Sequence, residues 1–249
     1  MPDQEDSPVN VTRGPGTTPA RWTMLALALS FPTLITWLYF DVLAGSAAMQ
    51  PAYLVGKTVQ FLLPVIWVVF VARDGWQLRR PSTSGAGLGL AFGAAVCLAG
   101  GAVYFLAMRH FAYFDVATEV LRGKLDGAGI TTPLRYVLLA TFYSLFHSAL
   151  EEYYWRWFVL GRLMHTWRLW PAAVVSSLGF MAHHVLLLES FFRGRPELWL
   201  PLSLAIAVGG VFWAWLYRRS DSLVGPWLSH LVIDVGIMVV GYDLLFVRG

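Results

Sequence analysis

The sequence contains few charged residues. Aspartate, glutamate, lysine and arginine make up 13% of its 249 residues, against roughly 25% in a typical soluble domain. Apolar residues make up 57%, and the mean hydropathy is +0.58. This composition excludes an ordinary soluble protein and predicts a polytopic helical membrane protein. The net charge of +3 is small and spread between the apolar segments, so nothing supports binding to nucleic acid.

Cysteine is almost absent, and so are the common zinc-site patterns. The single cysteine, Cys97, cannot form an internal disulfide. It lies in an apolar run, where a buried and inert thiol is the usual role. The sequence has no His-Glu-x-x-His signature, the two-histidine pattern of many zinc peptidases. A disulfide scaffold is therefore excluded and a metallopeptidase is disfavoured.

Apolar segments of about 20 residues, the length that crosses the hydrocarbon core of a bilayer, recur along the chain. Residues 1–20 are polar and rich in proline and predict a disordered tail, whereas residues 21–249 form the membrane domain. We predict an all-α transmembrane bundle of seven spans, with eight as the alternative. The predicted spans are 22–43, 53–72, 87–108, 136–163, 171–188, 198–217 and 223–245.

The longest polar break between spans covers residues 109–133. Within it, residues 115–125 place apolar side chains on one side and charges on the other. This pattern predicts a short interfacial helix, with a plain loop as the alternative. Seven spans put the termini on opposite sides, with nine arginines on the amino-terminal side against seven basic residues on the other. The positive-inside rule then favours a cytoplasmic amino terminus.

The fourth span contains charged residues at its centre. Glu151, Glu152 and Arg156 lie in an apolar segment, where ionisable groups are costly and usually functional. Glu152 and Arg156 are four residues apart and can pair on one helix face. Glu151 points about 100° away and has no such partner. His147, four residues before Glu151, could share its face and tune it, with a helix-contact role as the alternative.

Two later spans carry pairs of residues at helical spacing: Phe180 with His184, and His230 with Asp234. Counted from the nearest loop, Glu151, His184 and His230 fall about 13–20 Å from the same membrane face. Three spans therefore bring ionisable side chains to a similar level. Lys57 and Asp243, by contrast, fall near span ends, where snorkelling to the interface is the default.

These residue types suit a catalytic site in lipid, which needs a base, a positioned water and donors for an oxyanion. A carboxylate in apolar surroundings, such as Glu151, could act as the base. His184 could hold the same water, and His230 with Asp234 could face the substrate carbonyl. The alternative is that these groups only hydrogen-bond between helices and hold the bundle together.

The three motifs, in this order, resemble those of the CAAX-protease and bacteriocin-processing family (CPBP, or Abi), which includes the Rce1-type CAAX prenyl proteases. The motifs are Glu-Glu-x-x-x-Arg, Phe-x-x-x-His and His-x-x-x-Asn/Asp, and they fall within residues 134–240. The resemblance implies an intramembrane glutamic endopeptidase without a cofactor. It implies that Glu151 activates water with His184, and that Glu152 and Arg156 fix the first motif.

By the same resemblance, His230 and Asp234 form the oxyanion side of the site. The third motif here ends in aspartate instead of the commoner asparagine, and a carboxylate donates a hydrogen bond only when protonated. His183 stands beside His184. We predict a structural role for His183, because the aromatic residue four positions earlier belongs to the His184 register.

The resemblance also implies the setting of the protein. We expect a multi-pass protein of the bacterial inner membrane, in contact with lipid, that acts on a peptide or protein tail. Two alternatives remain open. One is a non-catalytic immunity or scaffold protein of the same fold, and the other is a zinc-dependent intramembrane metallopeptidase, since glutamate and histidine are zinc ligands.

Overall fold

The protein is described by a computed structural model that covers residues 18–73 and 81–248. The predicted disordered tail lies outside the described residues up to position 17, and the first helix begins at Thr18. All regular structure in the described residues is helical. The predicted all-α bundle is therefore confirmed.

Eight helices follow one another in the described chain, and several end in the wider turns of a π-helix. The helix at Tyr113–Gly127 confirms that residues 115–125 are helical, so the plain-loop alternative is wrong. The helices are α1 (Thr18–Trp37, continued by Leu38–Val42), α2 (Met49–Ile66, continued by Trp67–Ala72), α3 (Ala86–Val103, continued by Tyr104–Met108), α4 (Tyr113–Gly127), α5 (residues 133–163), α6 (Leu169–Phe191), α7 (Pro196–Ser220) and α8 (Val224–Tyr242, continued by Asp243–Val247).

Six of these helices, α1 to α3 and α6 to α8, are long and apolar enough to cross a membrane. The protein is therefore an integral multi-pass membrane protein. The remaining predicted span corresponds to α5, which is continuous and as long as the others. The acids and histidines of its motif make it less apolar. The count of seven spans thus depends on whether α5 also crosses.

The ends of the helices gather on two faces of the bundle. On the amino-terminal face, Arg21 Nη2 donates to the carbonyl oxygen of Arg162 at 3.0 Å, and Ser82 exchanges two hydrogen bonds with the hydroxyl of Ser222. The opposite face joins the ends of α1 and α6 through Asp41 and Arg193, 3.8 Å apart. Loops predicted to share a side of the membrane therefore contact one another.

Asp243, at the opposite face, departs from the prediction that it snorkels at a span end. Its side chain is buried and accepts hydrogen bonds from Tyr104 and from Arg109, whose Nη2 lies 2.7 Å from Oδ1. These contacts tie the end of α3 to the end of α8. Pairing inside the bundle satisfied this carboxylate, so the expectation of a free interfacial acid was wrong.

One helix that carries no predicted motif residue, α3, holds a motif helix in place. Helix α3 packs closely against α8 at Gly89 and Gly93. A methyl group at Gly93 would lie 2.7 Å from the carbonyl oxygen of Ser229, and one at Gly89 would collide with the carbonyl of Gly225. Small residues permit such close approach of helix backbones in lipid. The position of α8, and hence of His230, is set by this contact.

The arrangement of the two faces predicts a labelling pattern. In a Cys97→Ala background, cysteines introduced at Ser82 and His165 should react with a membrane-impermeant thiol reagent from the same side of the membrane. A cysteine at Asp115, on the opposite face, should react only from the other side. Reaction of the first two positions from opposite sides would reject this topology.

Candidate active site

Helix α5 places two adjacent glutamates inside the protein. Glu151 and Glu152 are 2% and 0% exposed. They lie in an α-helical turn, Ser148–Glu152, between π-helical segments at Tyr143–His147 and Tyr153–Leu160. Such segments are frequent at functional sites. Because both acids are buried, the groups around each carboxylate determine whether its charge is compensated.

Glu152 has two close partners, an arginine on its own helix and a histidine on α8. Its Oε2 lies 3.1 Å from Arg156 Nε, so the predicted pair is present. Its Oε1 accepts a hydrogen bond from His230 Nδ1 at 2.8 Å. The Arg156 guanidinium also lies close to the rings of Phe180 and Trp213, 4.8 and 4.9 Å from their centroids. Glu152 is therefore compensated on both oxygens and joins α5 to α8.

Glu151 has neighbours but no short contact. Its Oε1 lies 3.6 Å from His183 Nε2 and 3.9 Å from His147 Nε2, and its Oε2 lies 3.8 Å from His230 Nε2. All three distances exceed that of an N–H···O hydrogen bond. Three imidazoles from three helices thus surround a carboxylate whose oxygens remain available to a further partner.

The hydrogen bonds of two histidines fix which ring nitrogen faces the site. His184 Nδ1 lies 2.9 Å from the carbonyl oxygen of Phe180, and a carbonyl can only accept, so Nδ1 carries a proton. In the neutral ring, Nε2 of His184 is then an acceptor. His230 Nδ1 likewise donates to Glu152. Its Nε2 faces Asp234 Oδ1 at 3.6 Å and Glu151 at 3.8 Å.

Aromatic rings hold the histidine planes. Trp213 stacks on His230 with centroids 4.5 Å apart and an interplanar angle of 16°, and its Nε1 donates to Ser229 Oγ. Trp155 lies parallel to His183 at 5.9 Å. The imidazoles are therefore oriented by stacking as well as by hydrogen bonds, and the tryptophans perform a role that their spacing in the sequence did not indicate.

All eight residues that the sequence singled out lie in or beside one buried cluster, and their chemical roles remain predictions. His183, expected to be structural, also contacts this cluster, because neighbouring histidines on α6 both approach α5. Lys57 does not lie at a helix end, since α2 begins at Met49. The eight residues are Glu151, His184, His230, Asp234, Glu152, Arg156, Phe180 and His147.

The cluster can position a water molecule between the carboxylate of Glu151 and the imidazole of His184. The candidate ligand atoms of Glu151, His183 and His184 all lie within 4.8 Å of one another, a spacing that a water, or a metal ion, could bridge. On the other side of Glu151, His230 and Asp234 present polar atoms on one helix face. Such an arrangement suits the addition of water to a carbonyl group.

The comparisons with known proteins agree with the motif order. The family described as "Type II CAAX prenyl endopeptidase Rce1-like" matches residues 133–236, which include all three motifs. Comparisons with curated proteins and with solved structures give no significant match. The matched segment extends from the start of α5 into α8 and supplies every residue of the Glu151 cluster described above. The part of the chain that carries the site is thus similar to the Rce1-like family of type II CAAX prenyl endopeptidases.

Proposed function

We propose that the protein is an intramembrane endopeptidase that hydrolyses a peptide bond of a membrane-associated protein or peptide, with water activated by Glu151. One observation carries this proposal. Two adjacent buried glutamates have opposite surroundings: Glu152 makes contacts of 3.1 and 2.8 Å, whereas in the described residues Glu151 has no ion-pair contact shorter than 3.6 Å. A structural pair needs the first arrangement, and a catalytic base needs the second.

The reaction begins with a water held by Glu151 and by the acceptor nitrogen of His184. Glu151 takes a proton from the water while the water oxygen attacks the carbonyl carbon of the substrate. The carbonyl oxygen becomes an oxyanion on the side of His230 and Asp234. Asp234 stabilises it by donating a hydrogen bond when protonated. Glu151 then transfers its proton to the amide nitrogen, the C–N bond breaks, and an amine and a carboxylic acid leave.

Glu152 and Arg156 support this chemistry without touching the substrate. The hydrogen bond from His230 Nδ1 to Glu152 turns Nε2 of the same ring toward Asp234 and Glu151. Arg156 neutralises Glu152, so the carboxylate can hold the histidine without leaving an unpaired charge in the protein. The first motif thus orients the third through the hydrogen bond between Glu152 and His230.

The setting of the site is part of the proposal. The amino-terminal face carries the loop after α5, and Glu151 lies about ten residues, or roughly 15 Å, inside it. We place this face in the cytoplasm of a bacterium and the helices in its inner membrane, on the arginine distribution. The substrate is then a peptide or protein tail that reaches the centre of the bundle from this membrane.

A zinc-dependent peptidase is the second candidate, because one glutamate and two histidines approach each other. Zinc binds nitrogen and oxygen at about 2.0–2.2 Å, which places two tetrahedral ligands roughly 3.4 Å apart. The ligand atoms here lie within 4.8 Å of one another, and Glu151 Oε1 is 3.6 Å from His183 Nε2, so small rotations of these side chains would bring them to an ion. The glutamate mechanism needs no such rearrangement.

Chelation separates the two candidates. The purified protein in detergent should cleave an apolar peptide, and this activity should survive dialysis against a strong chelator within about 20%. Mock dialysis without chelator is the control. Stoichiometric zinc, with activity lost on its removal and restored on its return, would overturn the glutamate mechanism.

A scaffold without catalysis would instead keep its cellular function in a Glu151→Gln variant.

A further inference from the structure

One face of α2 lies against the candidate site although α2 is outside the segment matched by the family. Tyr53, Lys57 and Phe61 are spaced four residues apart and share this face. Phe61 contacts the rings of His147 and Tyr154 on α5, with centroids 6.0 and 6.3 Å apart. The face of α2 that carries Lys57 is therefore packed beside the turn that holds Glu151.

Lys57 is a cation at membrane depth without a close counter-ion. It lies eight residues after Met49, the first residue of α2, and hence about 12 Å from the helix end. Its Nζ is 5.7 Å from the ring centroids of both Tyr53 and Phe61. In the described residues, no carboxylate oxygen comes within 4.0 Å of Nζ. Cations at this depth are costly and usually have a functional partner.

The ammonium of Lys57 lies beside the candidate site, 5.7 Å from the centroid of the Phe61 ring that contacts His147. It is close enough to interact electrostatically with Glu151, and also with His147 and His183. Phosphates of membrane lipids lie at the headgroup level, whereas Lys57 lies a full two helical turns inside α2. An anion that pairs with Lys57 must therefore arrive on a molecule that enters the bundle.

We propose that Lys57 forms a subsite that binds a carboxylate of the substrate next to the scissile bond. This inference rests on the proposed peptidase function and adds a substrate class to it. A peptide offers such a carboxylate from two sources, its carboxyl terminus or the side chain of aspartate or glutamate. A compact ammonium on a flexible stem suits either source, and the low dielectric of the site strengthens the pairing.

The subsite should act mainly on substrate binding. A substrate without the carboxylate would leave Lys57 unpaired in both the bound state and the transition state. Removal of the carboxylate should therefore raise KM more than it lowers kcat. Lys57 also interacts with Glu151, and a mere counter-ion to that base would change kcat for every peptide alike. The two roles are therefore separable by the choice of peptide.

The test uses two pairs of peptides built on one apolar sequence. One pair ends in a free carboxylate or a carboxamide, and the other, amidated in both members, has glutamate or glutamine beside the scissile bond. Wild type should prefer the carboxylate member of at least one pair by roughly 10- to 100-fold in kcat/KM. Lys57→Met should abolish this preference, and Lys57→Arg should keep most of it. Thr58→Met, at the exposed neighbouring position on α2, is the matched control.

Four outcomes bear on the inference in different ways. Unchanged preference in Lys57→Met would overturn it, and so would an equal loss of kcat for all four peptides. Cleavage by wild type without any preference would reject the subsite while the peptidase function stands. If wild type cleaves none of the peptides, the affinity of the Glu151→Gln protein for the four peptides is measured instead. A preference for the carboxylate members that is lost in Glu151→Gln/Lys57→Met would support the subsite although hydrolysis fails. The absence of any preference would reject both the subsite and the peptidase function.

Discussion

Glu151→Gln should lower peptide cleavage by roughly 10²- to 10⁴-fold, the range that a positioned general base contributes. Glutamine has the shape of glutamate but cannot take a proton from water. The surrounding histidines remain, yet none is placed to replace Glu151, since the carboxylate stands between His183, His147 and His230 at 3.6–3.9 Å. The loss should appear in kcat with little change in KM.

The same substitution should leave the fold intact. In the described residues Glu151 has no charged partner closer than 3.6 Å, so its replacement breaks no close ion pair, and it removes the cost of keeping a carboxylate out of water. We expect the melting temperature of Glu151→Gln in detergent to equal or slightly exceed that of wild type. Cleavage rates and melting curves of the purified variants measure both effects. A Glu151→Gln protein with near wild-type turnover would contradict the assignment.

Glu152→Gln and Arg156→Ala should destabilise the protein by about 3–5 kcal/mol, the usual cost of removing one partner of a buried ion pair. Each change leaves the other charge without its partner in a site that is 2% exposed or less. The effect should be visible as a lower melting temperature or as poor expression. Activity should fall too, because Glu152 also holds His230 through Nδ1.

Two further variants test the cause of this destabilisation. Arg156→Lys keeps the charge but loses the planar guanidinium beside Phe180 and Trp213, so its stability should be intermediate. In the double variant Glu152→Gln/Arg156→Met no uncompensated charge remains, and it should recover part of the stability lost in either single change. A Glu152→Gln protein that is fully stable but inactive would show that the two glutamates have been assigned the wrong way round.

Much of the fold follows from the sequence because membrane spans depend on local composition. The apolar length of each segment is enough to predict the helices, with ends that differ from the observed ones by a few residues. The spacing of four residues also predicts the Glu152–Arg156 pair, since both side chains belong to one helix. The interfacial helix α4 follows from the same kind of local pattern.

Contacts between helices were harder to predict, because they depend on how each helix is rotated about its axis. His183 contacts Glu151 although the motif spacing selects His184, and Trp213 stacks on His230 from a helix without a motif. Lys57 belongs to α2, far from the motifs in the sequence. The π-helical turns on both sides of Glu151 further shift the register of α5, and 3.6-residue periodicity does not anticipate this shift.

The central claim is that Glu151 performs the hydrolysis of membrane-associated substrates. Its most direct test is mass spectrometry of the termini of membrane proteins and peptides from cells that express either wild type or Glu151→Gln at equal levels. We expect a set of new carboxyl and amino termini that is present with wild type and absent with Glu151→Gln. Identical sets of termini in the two strains, or termini that persist with Glu151→Gln, would contradict the claim.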